Sequence, residues 1–255
     1  MKAVILAAGR GSRLKRHTDE RPKALVELAG RPLLAWGLSA LASAGAGPLA
    51  VVGGYRHDLI KTFAAQSNIP FTSLANTRWA ETNMLSSLLC AAEWAGGEEC
   101  LVSYSDIVYP ARHIQALMEN DLPLALTFDT EWEGLWRLRN EGDPLADAET
   151  FREDGGLLRE IGARPQSLDQ VGGQYMGLLK LKPEGWKILS DLCAVLGPAV
   201  DRTDMTGFLR LVLAGGVDIG AVAVKGAWCE VDSDRDLELY ENALAEGSFS
   251  HDWRG

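Results

Sequence analysis

Five short apolar runs recur through the first half of this chain: Ala3–Ala8, Leu49–Gly53, Phe71–Leu74, Cys100–Tyr104 and Leu124–Phe128. Between them stand segments of helical period at Leu33–Ala44, Asp58–Ala65, Met84–Ala95 and Ala111–Met118. Strand and helix alternating over short connections leave few folds open. The strands lie side by side in one direction, and helices cover both faces. The expected class is α/β, with a mostly parallel sheet flanked by helices. Ligands of such sheets bind outside the carboxyl ends of the strands. Gly9–Arg13 and Ser105–Asp106 directly follow strands and so share that edge.

The pattern changes after Thr130. Ala148–Glu153, the turn Asp154-Gly155-Gly156 and Leu157–Ile161 read as a hairpin. Tyr175–Leu181 reads as a strand and Pro183–Val195 as a helix with proline in its first turn. Thr206–Leu213 is expected to be helical, Ile219–Val224 and Trp228–Val231 extended, and Asp234–Ala245 a closing helix. The last residues, GSFSHDWRG, read as a loose tail. A length of 255 residues suits a single domain, 1–255, with residues 131–174 as a small β-rich elaboration on the substrate side.

Charge narrows the ligand. The formal net charge is −10, which argues against nucleic acid as a partner. Positive charge is concentrated instead: Arg10, Arg13, Lys15, Arg16, Arg21 and Lys23 stand against only Asp19 and Glu20. A local basic cluster in an acidic protein suits a small polyanion. Cys90, Cys100, Cys193 and Cys229 form no C-x-x-C pair, so neither a zinc site nor a disulfide framework is expected. No apolar run approaches the ~20 residues a membrane span needs, and MKAVILAAGRGSR reads as a strand and loop rather than a signal peptide; a cytoplasmic location is the expectation.

The stretch AAGRGSRLKRHTDERPKALVEL, residues 7–28, holds the glycines and the charge together. A P-loop needs Gly-Lys-Ser/Thr, which is absent. A dinucleotide fingerprint needs a third glycine, where Leu14 stands, and an acid after the second strand, where Gly53-Gly54 stands. What remains is a strand ending in Leu6-Ala7-Ala8-Gly9, then Gly11-Ser12-Arg13, then Arg21-Pro22-Lys23. This resembles the sugar-nucleotidyltransferase superfamily, whose signature is L-A-A-G-x-G-[ST]-R-[LM] followed by P-K.

The resemblance implies a Rossmann-like nucleotidyltransferase fold and a loop that grips a nucleoside triphosphate. Leu6, Ala7, Ala8, Gly9, Gly11 and Ser12 then belong to nucleotide binding. Glycines admit phosphate oxygens close to backbone N–H groups. Arg13 offers a forked donor to the leaving phosphates, and Lys23 a compact charge to the phosphorus that moves. The family's two metal-binding acids match Asp106, in Ser105-Asp106, and Asp232, in Glu230-Val231-Asp232; Mg²⁺ is the expected ion. Asp234 and Asp236 suit the start of the last helix instead.

Later segments resemble the choline-phosphate and 2-aminoethylphosphonate cytidylyltransferase branch. Asn83 and Ser87, in Thr82–Leu88, are candidates for nucleotide contact, with a helix cap as the competing role of Asn83. Trp132 and Trp136 are candidates for holding an ammonium group, with packing as their competing role. Gln174, Tyr175 and Asp204 are further candidates on the acceptor side, Asp204 again with a capping role as the alternative.

The expected reaction is attack by a phosphate or phosphonate oxygen on the α-phosphorus of a nucleoside triphosphate, most favourably CTP, with release of pyrophosphate. The acceptor is a small phosphorylated or phosphonate compound such as phosphocholine. No strong base is required, in keeping with the scattered positions of His17, His57, His113 and His251. A sugar-1-phosphate enzyme using UTP, GTP or dTTP stays open, as does a nucleotide-binding subunit without activity. Association of identical chains is compatible with either.

Overall fold

The computed structural model describes residues 1–255 and is organised on one nine-stranded sheet. The first half runs β1 (Lys2–Ala7), α1 (Leu33–Ser43), β2 (Leu49–Gly53), α2 (His57–Gln66), β3 (Thr72–Ala75), α3 (Met84–Leu89), α4 (Ala92–Ala95), β4 (Cys100–Tyr104), α5 (Ala111–Met118) and β5 (Leu124–Asp129). The second half adds α6 (Trp132–Arg139), β6 (Phe151–Asp154), β7 (Leu157–Ile161), β8 (Gln174–Leu181), α7 (Pro183–Leu196), α8 (Met205–Ala214), β9 (Gly220–Val224) and α9 (Asp234–Glu246). In space the strands lie in the order β3-β2-β1-β4-β8-β5-β9-β7-β6.

β1 pairs in parallel with β2 and β4, β2 with β3, and β5 with β9. β8 is antiparallel to both β4 and β5, and β7 to both β9 and β6. Only β7 and β8 therefore run against the common direction, and the sheet is mostly parallel as expected. β1 shows why the central strands read as unbroken apolar runs. Ala3, Ile5 and Ala7 enter the core on one face while Val4 and Leu6 enter the core on the other. A strand covered on both sides has no use for polar alternation. Each valine, leucine or isoleucine among them contributes about 2 kcal/mol by leaving water, each alanine less.

Four expectations need correction. Met84–Ala95 is not one helix: it breaks at Cys90 and Ala91 between α3 and α4. Trp228–Val231 does not join the main sheet. Only Cys229–Glu230 is extended, and it pairs antiparallel with Ile107–Val108. Residues 131–174 hold helix α6 as well as the hairpin, and the hairpin extends the main sheet beyond β9. The buried positions of α6 are Trp132, Leu135, Trp136 and Arg139, a helical i, i+3, i+4, i+7 stripe.

The tail is the fourth. Phe249, His251 and Trp253 are buried, with Trp253 edge-on to Trp36. The fully buried carboxylate of Asp129, at the end of β5, anchors them: His251 Nε2 lies 3.2 Å from it, and Trp228 Nε1 and the amides of Gly226 and Glu131 donate to it at 2.7–2.9 Å. Three aromatic or imidazole rings within five residues are enough to seat a short terminus that local polarity makes look loose.

Candidate active site

Asp106 and Asp232 stand 126 residues apart, and a two-residue ladder joins them. Cys229 pairs with Val108 and Glu230 with Ile107, and the Val231 amide donates to the Asp106 carbonyl at 2.9 Å. The ladder therefore leaves both acids on the carboxyl edge of the sheet, just past β4 and just before α9. The antiparallel β8 delivers its first residues to the same edge, since Leu178 pairs with Ser103 and Gln174 with Asp129.

Lys23 completes the group. Its ammonium donates to Asp106 Oδ2 at 2.7 Å and to Asp232 Oδ1 at 2.6 Å, and the residue is buried. Burial alone would push the lysine down; the two carboxylates outweigh it and hold Lys23 well above its ordinary value. Burial would likewise raise Asp232, but Lys23 beside it holds that carboxyl far below the usual range. Glu230 moves the other way, raised by desolvation and by the charge of Asp232.

Ligand oxygens of Asp106, Glu230 and Asp232 lie within 4.8 Å of one another. Asp106 Oδ1 is buried and has no hydrogen-bond partner in the protein. An orphaned oxygen among clustered carboxylates fits a hard divalent cation.

The glycine loop leads into this group. Gly11 has φ +75° and sits against the lysine stem, where an added Cβ would meet Lys23 Cβ at 2.7 Å. Ser12 then opens a short 3₁₀ segment. The positive side chains of the loop differ in use. Arg10 pairs with Asp19 and Lys15 approaches Asp234 at 3.8 Å, whereas Arg13 lies 3.1 Å from Asp232 Oδ1 with its side chain largely in solvent.

Two cavities open on this edge of the sheet, and Glu230 and Asp232 line one of them. The smaller, of about 130 Å³, is lined by Leu6, Ala8, Gly9, Trp79, Thr82, Asn83, Met84 and Ser87. Four of the residues expected at the nucleotide line it through Leu6, Ala8, Gly9 and Ser87, and Asn83 does so while capping α3 through a 2.7 Å bond from the Met84 amide. Buried Asn76 donates to Ser87 Oγ and Thr82 Oγ1, which orients both hydroxyls. Trp79 was not anticipated. It lies so close to Gly54 that a Cβ there would meet the Trp79 Cβ at 2.5 Å, and Gly54 was noted only for lacking an acid.

The second cavity, of about 200 Å³, is lined on the acid side by Arg13, Glu230 and Asp232 and farther out by Tyr104, Trp136, Asp147, Glu149, Gln174, Tyr175 and Thr206. Trp136, Gln174 and Tyr175, three of the acceptor-side candidates, are among its lining residues. Trp132 is not: it is buried edge-on behind Trp136 with ring centroids 6.0 Å apart. Asp204 caps α8 by accepting the Gly207 amide at 2.6 Å, while its neighbour Thr206 reaches the cavity. Gln174 spends its amide on the backbone of Glu149, accepting from the amide at 3.2 Å and donating to the carbonyl at 2.7 Å.

Arg139 and Glu149 are the residues the sequence did not reveal. Arg139 is a buried guanidinium facing Asp232, Asp236 and Glu230, over the Trp136 ring at 5.1 Å. The only signal for it was its place three residues beyond Trp136 on the buried stripe of α6. Asp236, read as a helix-start residue, does complete the capping box of α9 with Ser233.

The family model of the MobA-like NTP transferase domain matches residues 3–154. The CTP:phosphoglutamine cytidylyltransferase of Campylobacter jejuni is 33% identical over 254 residues, covering 94% of this chain and 98% of the relative. Among solved structures, the inositol-1-phosphate CTP transferase from T. maritima superposes with a TM-score of 0.75 at 19% identity, over 97% of both chains. The CTP:phosphocholine cytidylyltransferase from Streptococcus pneumoniae does so with a TM-score of 0.68 at 20% identity, over 95% of this chain and 98% of that one. A loop, a lysine and two acids on the carboxyl edge of this sheet, with a family match across 152 residues and a relative aligned along nearly its whole length, place the chain among the MobA-like NTP transferases, as a nucleotidyltransferase of the branch that includes cytidylyltransferases.

Proposed function

We propose that the protein transfers CMP from CTP to the phosphate or phosphonate oxygen of a small acceptor that carries an ammonium group. The carrying observation is Lys23: it packs against Gly11 of the nucleotide loop and bonds to Asp232 in the wall of the second cavity, so one side chain touches both halves of a transfer site. The choice of CTP is supported by the near full-length Campylobacter relative. The whole chain acts as one domain, with residues 131–174 supplying part of the acceptor wall.

The acceptor oxygen forms a bond to the α-phosphorus as the bond to the β-phosphate oxygen breaks, and pyrophosphate leaves. A phosphomonoester with a second pKa of ~6 is already mostly dianionic at neutral pH, so no protein base is needed. Lys23 offsets charge on the phosphorus that moves, and the exposed fork of Arg13 meets the leaving phosphates. Asp106 and Asp232 would hold Mg²⁺, with Glu230 beside them, and the ion would supply positive charge to offset the negative charge of the reacting phosphates. Trp79, Asn83 and Ser87 take the nucleoside.

The head group follows from what lines the second cavity. Asp147 and Glu149 face it, and no lysine does. Partial desolvation and the charges of Asp204 and Asp147 raise the Glu149 carboxyl, a state that a bound cation relieves. The aromatic walls are already engaged: Trp136 carries Arg139, and Tyr104 and Tyr175 meet edge-on at 5.8 Å. Asp147 is shared with Arg139 at 3.9 Å and Glu149 accepts only a long bond from Thr206 Oγ1 at 3.5 Å, and carboxylates with capacity left over suit an ammonium with N–H donors better than a quaternary one. The decisive assay is pyrophosphate release with four nucleotides against phosphoethanolamine, 2-aminoethylphosphonate, phosphocholine, phosphoglutamine and a hexose 1-phosphate. CTP with an amine-bearing acceptor is the expected pair. Saturation by the hexose 1-phosphate alone, or no pyrophosphate from any pair, sinks the proposal.

A further inference from the structure

We infer that Arg139 is a positioning residue for nucleotidyl transfer: it holds one oxygen of Asp232 away from the reaction and ties that carboxylate to the acceptor wall. The inference rests on the proposed role of Asp232.

A guanidinium with only 4% of its side chain exposed needs matched partners. One carboxylate in a bidentate pair would take two of its five N–H groups in the strongest geometry. Arg139 instead divides its fork. Nε donates to Asp236 Oδ1 at 3.2 Å and Nη2 to Asp232 Oδ2 at 3.3 Å, while Nη1 lies 3.6 Å from Glu230 Oε2 and makes no hydrogen bond. The residue leaves part of its own donor set unmet and places two acids.

Those acids are constrained from the other side as well. Asp236 Oδ2 accepts the amides of Asp232 and Ser233 at 2.9 Å each, which locks it into the cap of α9. Asp232 is thus framed by its own backbone amide on Asp236 and by Oδ2 on Arg139. Its remaining oxygen, Oδ1, turns to Lys23 at 2.6 Å and Arg13 at 3.1 Å. With Oδ2 held, the carboxylate cannot swing to give Lys23 both oxygens. Lysine at this place carries the same charge, but its three donors sit on one nitrogen at the end of a shorter side chain, so it loses the planar fork that reaches Asp232 and Asp236 from separate nitrogens.

The same guanidinium lies over Trp136, one helical turn back on α6, and Trp136 lines the acceptor cavity. A shift of α6 on filling that cavity is therefore transmitted to Asp232 by one side chain.

The test uses Arg139→Lys in the full-length protein, with Arg137→Lys on the exposed face of α6 as the control expected to match wild type. Two readouts are needed: steady-state constants with CTP and phosphoethanolamine, and calorimetric titration of Mn²⁺ into the protein with CTP present. Arg139→Lys should lower kcat and weaken Mn²⁺ binding by about 10- to 100-fold each, the range for residues that orient a metal ligand, with KM for CTP within about threefold. A merely structural arginine lowers the melting temperature and leaves kcat per folded molecule and Mn²⁺ affinity unchanged; that result overturns the inference. If Arg139→Lys does not fold, Asp236→Asn removes the charge that anchors Nε while keeping the shape, and wild-type Mn²⁺ affinity there overturns it equally. Asp232→Asn separates the two levels. Loss of turnover in Asp232→Asn beside a normal Arg139→Lys defeats this inference alone. Full turnover in Asp232→Asn, or no Mn²⁺ binding by wild type, defeats the proposed site and this inference with it.

Discussion

The two cavities on the carboxyl edge of the sheet are built differently. The proposed nucleotide side is made from two early segments and is mostly small or backbone, apart from Trp79 and Met84: Leu6, Ala8 and Gly9 at the end of β1, and Trp79 to Ser87 around the start of α3. The acceptor side is made of long side chains brought from distant segments: Arg13, Trp136, Glu149, Tyr175 and Thr206. A triphosphate is the same ligand in every member of such a family, and backbone N–H groups that bind it tolerate little variation. An acceptor differs from enzyme to enzyme, and side chains on an elaborated wall are what change with it. The contrast teaches that the activity and its specificity are carried by separable parts of the chain.

The largest effect should come where the two sides meet. Asp106→Asn is expected to cut pyrophosphate release by about 10³-fold, since it removes charge from the centre of the transfer; near wild-type turnover in this variant would break the picture of a shared centre. Next is the anchor of the C-terminal segment. Asp129 is held below the usual carboxylate range, burial being outweighed by hydrogen bonds from His251, the Glu131 and Gly226 amides and Trp228. A depressed folded-state pKa adds stability that is complete above the unfolded value near ~4 and is lost as pH falls below it. Asp129→Asn should therefore cost about 3 kcal/mol at neutral pH and flatten the loss of melting temperature between about pH 4 and 2; an unchanged acid profile would remove Asp129 from that role. Smaller effects should fall on one side only. Trp79→Ala is expected to raise KM for CTP about tenfold, the scale of one lost base stack, and to spare KM for the acceptor. Glu149→Gln is expected to raise KM for phosphoethanolamine about fivefold, a weak effect suited to an exposed ion pair, without changing KM for CTP. A crossed result in either variant, with the other substrate's KM moving instead, would show that the cavities are assigned the wrong way round.

The same division explains how much of the molecule could be read in advance. β1 and the loop after it are legible because their pattern is continuous: the apolar run, the glycines and Lys23, which packs on Gly11, all lie within one short segment, even though their partners come from far along the chain. Asp106 and Asp232 were found through a resemblance, and the ladder of Ile107–Val108 with Cys229–Glu230 that joins them is too short to leave a pattern. Trp132 was placed at the acceptor because tryptophan beside acids suggests a cation site, but its helical spacing with Leu135 and Arg139 turns it inward. Arg139 shows the limit most clearly. A charged residue on a predicted surface reads as solvated, and only the arrival of Asp232 and Asp236 from the far end of the chain makes a buried position tolerable. The tail reads as loose for the same reason, since the partner of His251, Asp129, lies 122 residues away.

Gly11 has a mechanical consequence. The atoms its missing side chain leaves room for are Cβ, Cγ and Cδ of Lys23. Three carbons of the lysine therefore run against the glycine loop, whose backbone fixes where the stem can lie. Lys23 resembles a short lever on a fixed fulcrum: the loop sets the pivot, and the ammonium at the free end stays within reach of Asp106 and Asp232.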